Sequence, residues 1–201
     1  MRRDVDPRST RLAIDAVISV CVVSLDARRV DARGVALGGI LYAVSATTSS
    51  RRARVWRTFC ASCVAWFVAA CALSTDAMWA WRGTCAACAH AAGATVGALA
   101  GGGGERNARA GGVAARARRI VLDGRCDDAW EVVERWECVG VALGAWLGAC
   151  AIPLDWGRPW QRWPTSVARG VAGGKLAGIS LGLALARFAD ASEVGARKRR
   201  T

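Results

Sequence analysis

Histidine is nearly absent from this chain: His90 is the only one in 201 residues. It lies in an Ala-rich stretch without a carboxylate cluster or a second histidine that could share a metal, so no metal-dependent catalytic centre is expected. A nucleotide-phosphate loop is missing as well. No GxxxxGK[ST] pattern occurs, and Gly174-Lys175 runs into Leu176, which has no hydroxyl to reach a magnesium ion. Acidic residues are scarce, 16 against 28 Lys and Arg, which leaves a net charge of +12. No short, cysteine-framed domain is visible despite nine cysteines, which argues against a disulfide scaffold. No cofactor is expected.

What is present is hydrophobic: 53% of residues are apolar. A mean hydropathy of +0.22 is high for a soluble nucleic-acid binder of this charge and low for a typical membrane protein. The placement of the charges decides between them, because they cluster in short blocks separated by Ala/Gly/Val/Leu-rich stretches. Six such stretches stand out: Leu12–Leu25, Val35–Ser50, Thr58–Leu73, Thr84–Gly104, Cys138–Ile152 and Val167–Leu185. Asp15 interrupts the first, and Arg169 and Lys175 interrupt the last. A spanning helix needs roughly 20 residues, so the first, second and fifth must borrow flanking residues whose arginine stems snorkel. The reading is an all-α, polytopic transmembrane helical bundle of about six helices, a single integral-membrane domain over 1–201. Glycine-rich residues 101–125 form a flexible basic loop within it.

Topology follows from the arginines. With six helices and both termini in the cytosol, 20 basic residues fall on the cytosolic side and 7 on the other. The segment after the fifth stretch then faces the lumen. Leu25 is followed by Asp26-Ala27-Arg28-Arg29 rather than a small-residue cleavage site, so the first stretch reads as an uncleaved helix rather than a signal peptide. Cys60-x-x-Cys63 and Cys85-x-x-Cys88 resemble zinc-ligand pairs, but each lies inside an apolar stretch. They are expected to be buried, reduced small apolar residues. Glu131, Glu134 and Glu137, spaced by three near Arg135 and Arg125, read as a solvated helix face. Asp15, four residues beyond Arg11, is placed to pair with it, and His90 to hydrogen-bond between helices.

Glycine recurs at every fourth residue three times: Gly93, Gly97, Gly101; then Gly140, Gly144, Gly148; then Gly170, Gly174, Gly178, Gly182. In soluble helix interiors each would cost about 1 kcal/mol relative to alanine. In lipid such a face lets backbones approach closely. Whether these faces meet one another or a partner's helices is open at this point.

From Trp130 the composition changes. Trp130-Glu131 leads to Gly144-Ala-Trp-Leu-Gly148, then Ile152-Pro-Leu-Asp-Trp156, then Arg158-Pro-Trp-Gln161 and Trp163-Pro164. This run resembles the PIG-F family, phosphatidylinositol-glycan biosynthesis class F, over Trp130 to Gly182; the first 125 residues carry no family signature. The resemblance implies a multi-pass endoplasmic-reticulum subunit without catalytic residues of its own. Such a subunit binds and stabilises two transferases, PIG-O and PIG-G, which add ethanolamine phosphate to GPI mannoses. The candidate partner or lipid contacts are Gly144, Trp146, Gly148, Pro153, Asp155, Trp156, Arg158, Pro159, Trp160, Trp163, Gly174 and Gly178.

The same string makes physical sense. Pro153 would end the fifth helix. Trp156, Trp160 and Trp163 would sit at headgroup level. Asp155 and Arg158 could pair across a tight turn, or Arg158 could meet a lipid phosphate. Trp146, between two glycines, reads as core. The alternative class is an independent membrane enzyme or lipid transporter acting on GPI precursors, with Asp15, His90 and Asp155 as its polar groups. Lys198-Arg199-Arg200-Thr201 reads either as a weak dibasic retrieval signal or as the end of the basic tail.

Overall fold

Short polar signals start the helices. Asp6 accepts the Arg8 N–H at 2.9 Å, and Pro7 takes the first helical position, where a missing N–H costs nothing. Asp128 accepts the Glu131 N–H at 2.7 Å while Glu131 reaches back to the Asp127 N–H at 2.8 Å, a reciprocal cap before a long apolar run. The computed structural model describes residues 6–24, 32–47, 52–73, 81–100, 112–150 and 163–198. Among these there are seven α-helices and no strand. They are α1 (Pro7–Ser24), α2 (Ala32–Ala46), α3 (Arg52–Leu73), α4 (Trp81–Ala100), α5 (Gly112–Ala117), α6 (Ala129–Cys150) and α7 (Thr165–Lys198). A π-helical turn, Arg118–Leu122, continues α5. Gly124, at φ 69°, then takes the left-handed conformation that reverses the chain toward α6.

Part of the expected basic loop is thus helical. Gly112–Leu122 folds because one face finds partners: Ile120 is buried, and Arg116 is buried against the carboxylates of α6. Residues 101–111 lie outside the described residues.

α6 and α7 make the most extensive contact, α4 packs on α2 and α3, and α1 lies against α7 and α2. The apolar centre is built from Tyr42, Ala87, Ala91, Ala94, Val141, Ala145, Val167 and Val171. Its small side chains keep the helices close. Outside, the distribution inverts that of a water-soluble bundle. Ile14, Val17 and Val20 of α1, Leu37, Ile40 and Val44 of α2, Val64 and Val68 of α3, Leu143 and Leu147 of α6, and Leu181 and Phe188 of α7 are all exposed. Arg11, Asp15, Ser19, His90, Glu137 and Lys175 are buried. Thr165–Phe188 is the one described stretch long and apolar enough to cross a membrane, and Arg33–Ala46 is apolar but shorter.

The cysteine expectation needs correction in part. Cys88 is buried, but Cys60 and Cys85 are exposed and Cys63 is half-buried. The i, i+3 spacing puts each pair near one side of its helix, yet within each pair the second cysteine is the more buried.

Candidate functional site

The every-fourth glycines of α6 and α7 face each other. A Cβ built on Gly144 would lie 2.8 Å from the Gly170 carbonyl carbon and 3.0 Å from the Gly174 Cα. One on Gly140 would reach the Gly174 carbonyl and lie 3.1 Å from the Gly178 Cα, and one on Gly148 would meet the Ser166 backbone and the Val167 Cα at 2.9 Å. Gly178 in turn lies against the Trp136 and Glu137 backbone. The two helices therefore approach along three successive turns at backbone distance. Gly93 of α4 repeats the arrangement against Gly39 of α2; the side of Gly97 and all of Gly101 lie outside what is described. Gly144, Gly148, Gly174 and Gly178 are consumed by contacts within the chain.

Beside this seam lies a buried ion cluster. The Arg11 guanidinium of α1 donates to both Glu137 oxygens of α6, at 3.3 and 3.1 Å. It also lies 3.6 Å from Asp15, as the i, i+4 spacing predicts. Lys175 of α7 donates to Glu137 and to the Ala94 carbonyl of α4, and its Nζ is 3.1 Å from Asp15. It also stands 4.9 Å over the Tyr42 ring of α2. One ammonium group thereby touches four other helices, donating to two oxygens and lying beside a third, charged one. Ser45 donates to Asp15, and Ser19 shares a 2.6 Å hydrogen bond with the Tyr42 hydroxyl. Two cations and two carboxylates sum to zero charge, the condition under which such groups can sit in a low-dielectric interior.

His90 borders this cluster. Its ring packs edge-on to Tyr42, 5.5 Å between centroids, and its Nδ1 lies 3.2 Å from the Val35 carbonyl of α2. Gly38 makes the space: a Cβ there would come within 2.9 Å of Nδ1. The histidine bonds between helices, as expected from its position.

The three glutamates overturn the expectation of a solvated face. Glu131, Glu134 and Glu137 are 3%, 3% and 0% exposed. Their cations come from elsewhere in the chain: Arg116 from α5 pairs with Glu134 and lies 3.6 Å from Glu131, and Arg119 binds Glu131 at 2.6 and 3.0 Å. Glu131 precedes the apolar part of α6. Burial opposes its ionisation, but the Arg119 hydrogen bonds, the Asp127 amide and the nearby guanidinium charges outweigh burial and hold its carboxyl below the usual carboxylate range. The three glutamates thus form a ladder along α6, each rung met by an arginine or by Lys175.

Trp146 is also corrected: it is 62% exposed, on the outward face with Leu143 and Leu147, and is not core. Trp163 is half-buried against the apolar centre, with its indole over Gly83 of α4. Pro153, Asp155, Trp156, Arg158, Pro159 and Trp160 lie outside the described residues. Sequence reasoning missed Glu137 and Lys175 as members of one cluster. The signal available was that Asp15 and Lys175, opposite in sign, both interrupt apolar stretches.

Comparison with known proteins falls on this same part of the chain. Residues 113–183 match the family described as GPI biosynthesis protein family Pig-F. Glycosylphosphatidylinositol anchor biosynthesis protein 11 of Neurospora crassa is 59% identical over 44 residues, 22% of this chain and 16% of that protein. The human protein named GPI ethanolamine phosphate transferase, stabilizing subunit, is 48% identical over 50 residues, 25% of this chain and 23% of that protein. The matches therefore span less than a quarter of these relatives' own lengths. No solved structure matches the chain. The matched region holds all but the first residue of α5, all of α6, the seam glycines, Glu137 and Lys175, whereas Arg11, Asp15, Tyr42, His90 and Ala94 lie outside it.

Proposed function

We propose that this chain, whose residues 113–183 are a Pig-F family segment, is a non-catalytic membrane subunit that binds and stabilises a GPI ethanolamine-phosphate transferase. The observation that carries this reading is the family match itself, to relatives named as that enzyme's stabilizing subunit. Its apolar exterior and ion-paired interior suit a helical bundle surrounded by lipid. The partners are PIG-O-like and PIG-G-like transferases, and the place is the endoplasmic-reticulum membrane, crossed several times. With the α6–α7 glycines occupied within the chain, contact with the partner falls to outward-facing side chains such as Trp146 and to the Trp-rich segment after α6.

The test is purification of the tagged chain in mild detergent followed by mass spectrometry. A much larger transferase is expected to co-purify, and cells lacking the chain should lose transferase abundance and ethanolamine-phosphate transfer together. A purified chain that processed a GPI precursor alone would overturn the reading in favour of a membrane enzyme.

The topology is tested separately. Both termini are proposed to be cytosolic and the Pro153–Pro164 segment luminal, from the distribution of arginines. A Gly157→Cys variant should react with an impermeant thiol reagent only after sealed, right-side-out microsomes are permeabilised. Labelling before permeabilisation would invert the assignment.

A further inference from the structure

We propose that the four buried charges act as a register-setting lock, through which the helices outside the Pig-F segment recognise the α6–α7 hairpin. This goes beyond the subunit role and holds whichever protein is bound. Each side brings one pair. The hairpin carries Glu137 and Lys175, and α1 carries Arg11 and Asp15 one turn apart. They dock head to tail, Arg11 on Glu137 at 3.1 Å and Asp15 against Lys175 at 3.1 Å.

Only one register satisfies this arrangement. Sliding α1 by a turn would carry Arg11 away from both Glu137 oxygens and leave Asp15 without its ammonium, in an interior nearly inaccessible to solvent. Apolar faces alone discriminate weakly between registers in lipid, because lipid tails compete on equal terms with apolar side chains. The apolar contact of α1 at this point is correspondingly small: Leu12 packs with Val133, Ile179 and Ala186. A buried polar match can specify register where apolar packing does not. Lys175 extends the match to two more helices outside the segment, through the Ala94 carbonyl of α4 and the Tyr42 ring of α2.

Docking of α1 can be read in the full-length chain in membranes. Leu12→Cys and Val133→Cys place two thiols in one apolar cluster, and their oxidative cross-link reports that α1 is seated. The cross-link is expected to form with the native charges. Lys175→Met leaves one carboxylate in excess and should reduce the yield about tenfold, since breaking a buried pair strands the other charge. Adding Asp15→Asn removes that excess while keeping the Arg11–Glu137 pair, and should restore the yield to within about twofold of the native level. If Lys175→Met is degraded, recovery of both its level and the cross-link in the double variant supports the lock. An undiminished cross-link in Lys175→Met, or a double variant no better than the single one, overturns it.

Discussion

Leucine at position 144 is expected to abolish the stable bundle. The atoms that a Cβ would meet at Gly144 are backbone: the Gly170 carbonyl carbon at 2.8 Å and the Gly174 Cα at 3.0 Å. Backbone cannot rotate away as a side-chain tip can, so α6 and α7 must separate. The contacts at Gly140 and Gly148 would open with them. Overpacking a core usually costs about 1–3 kcal/mol; here the loss should exceed that range, because three turns of close contact are forfeited together. Even Gly144→Ala should destabilise. Gly173 supplies the control. It sits on the same helix with nothing within 4 Å of a built Cβ, so Gly173→Ala should be neutral or stabilise by up to about 1 kcal/mol through helix propensity. Thermal unfolding in detergent, with the abundance of the proposed transferase partner in cells as a second readout, checks both. Equal behaviour of Gly144→Leu and Gly173→Ala would show that the seam does not hold the hairpin.

The seam was half legible in the sequence. Spacing of four fixes a face on a helix, so the runs at Gly140–Gly148 and Gly170–Gly182 announced close packing. Spacing says nothing of what the face meets, and their mutual contact emerged only from the fold. The outward position of Trp146 could have been read from the same pattern. At about 100° per residue, two positions beyond Gly144 lies nearly opposite it, and a residue opposite the packed face is exposed.

The glutamates were misread for a different reason. Their neighbours in sequence, Arg125 and Arg135, made an exposed ion-pair face the simplest account. Glu137 instead pairs with Arg11, 126 residues earlier, and with Lys175, 38 residues later. Pairings at such separations leave no local signature. What the sequence did show were single charges stranded in apolar stretches, Asp15 and Lys175, and in a low-dielectric interior a stranded charge implies an opposite one brought to it. The helix over Gly112–Leu122 was hidden by composition: its Gly, Ala and Arg resemble the composition of the residues before it, and its order depends on Arg116 reaching Glu134.

Within this cluster, Glu137→Gln should be among the most destabilising substitutions that leave side-chain size unchanged. Glu137 neutralises two cations, Arg11 through both oxygens and Lys175. All three side chains are nearly inaccessible to solvent, Arg11 at 3% and the other two at 0%. With an amide in its place, Arg11 and Lys175 share only Asp15, and one buried positive charge has no counter-ion. Breaking a buried pair in this way costs about 3–5 kcal/mol. Adding Arg11→Met removes the excess charge and leaves Asp15 and Lys175 paired, so the double variant should be more stable than Glu137→Gln alone. Replacing a buried pair by apolar groups is often close to neutral. Arg119→Ala provides the surface comparison. It also breaks a glutamate pair, but Arg119 is one-quarter exposed and Glu131 keeps Arg116 at 3.6 Å and the Asp127 N–H, so its loss should cost less than Glu137→Gln. Unfolding of these variants, the parent chain and the Arg11→Met single variant in one detergent, with the Glu137 and Arg11 changes compared as a double-mutant cycle, gives the answer. If Glu137→Gln proves no worse than Arg119→Ala, or if Arg11→Met deepens its defect, the cluster is not a charge-balanced core and the helices are held by the glycine seam alone.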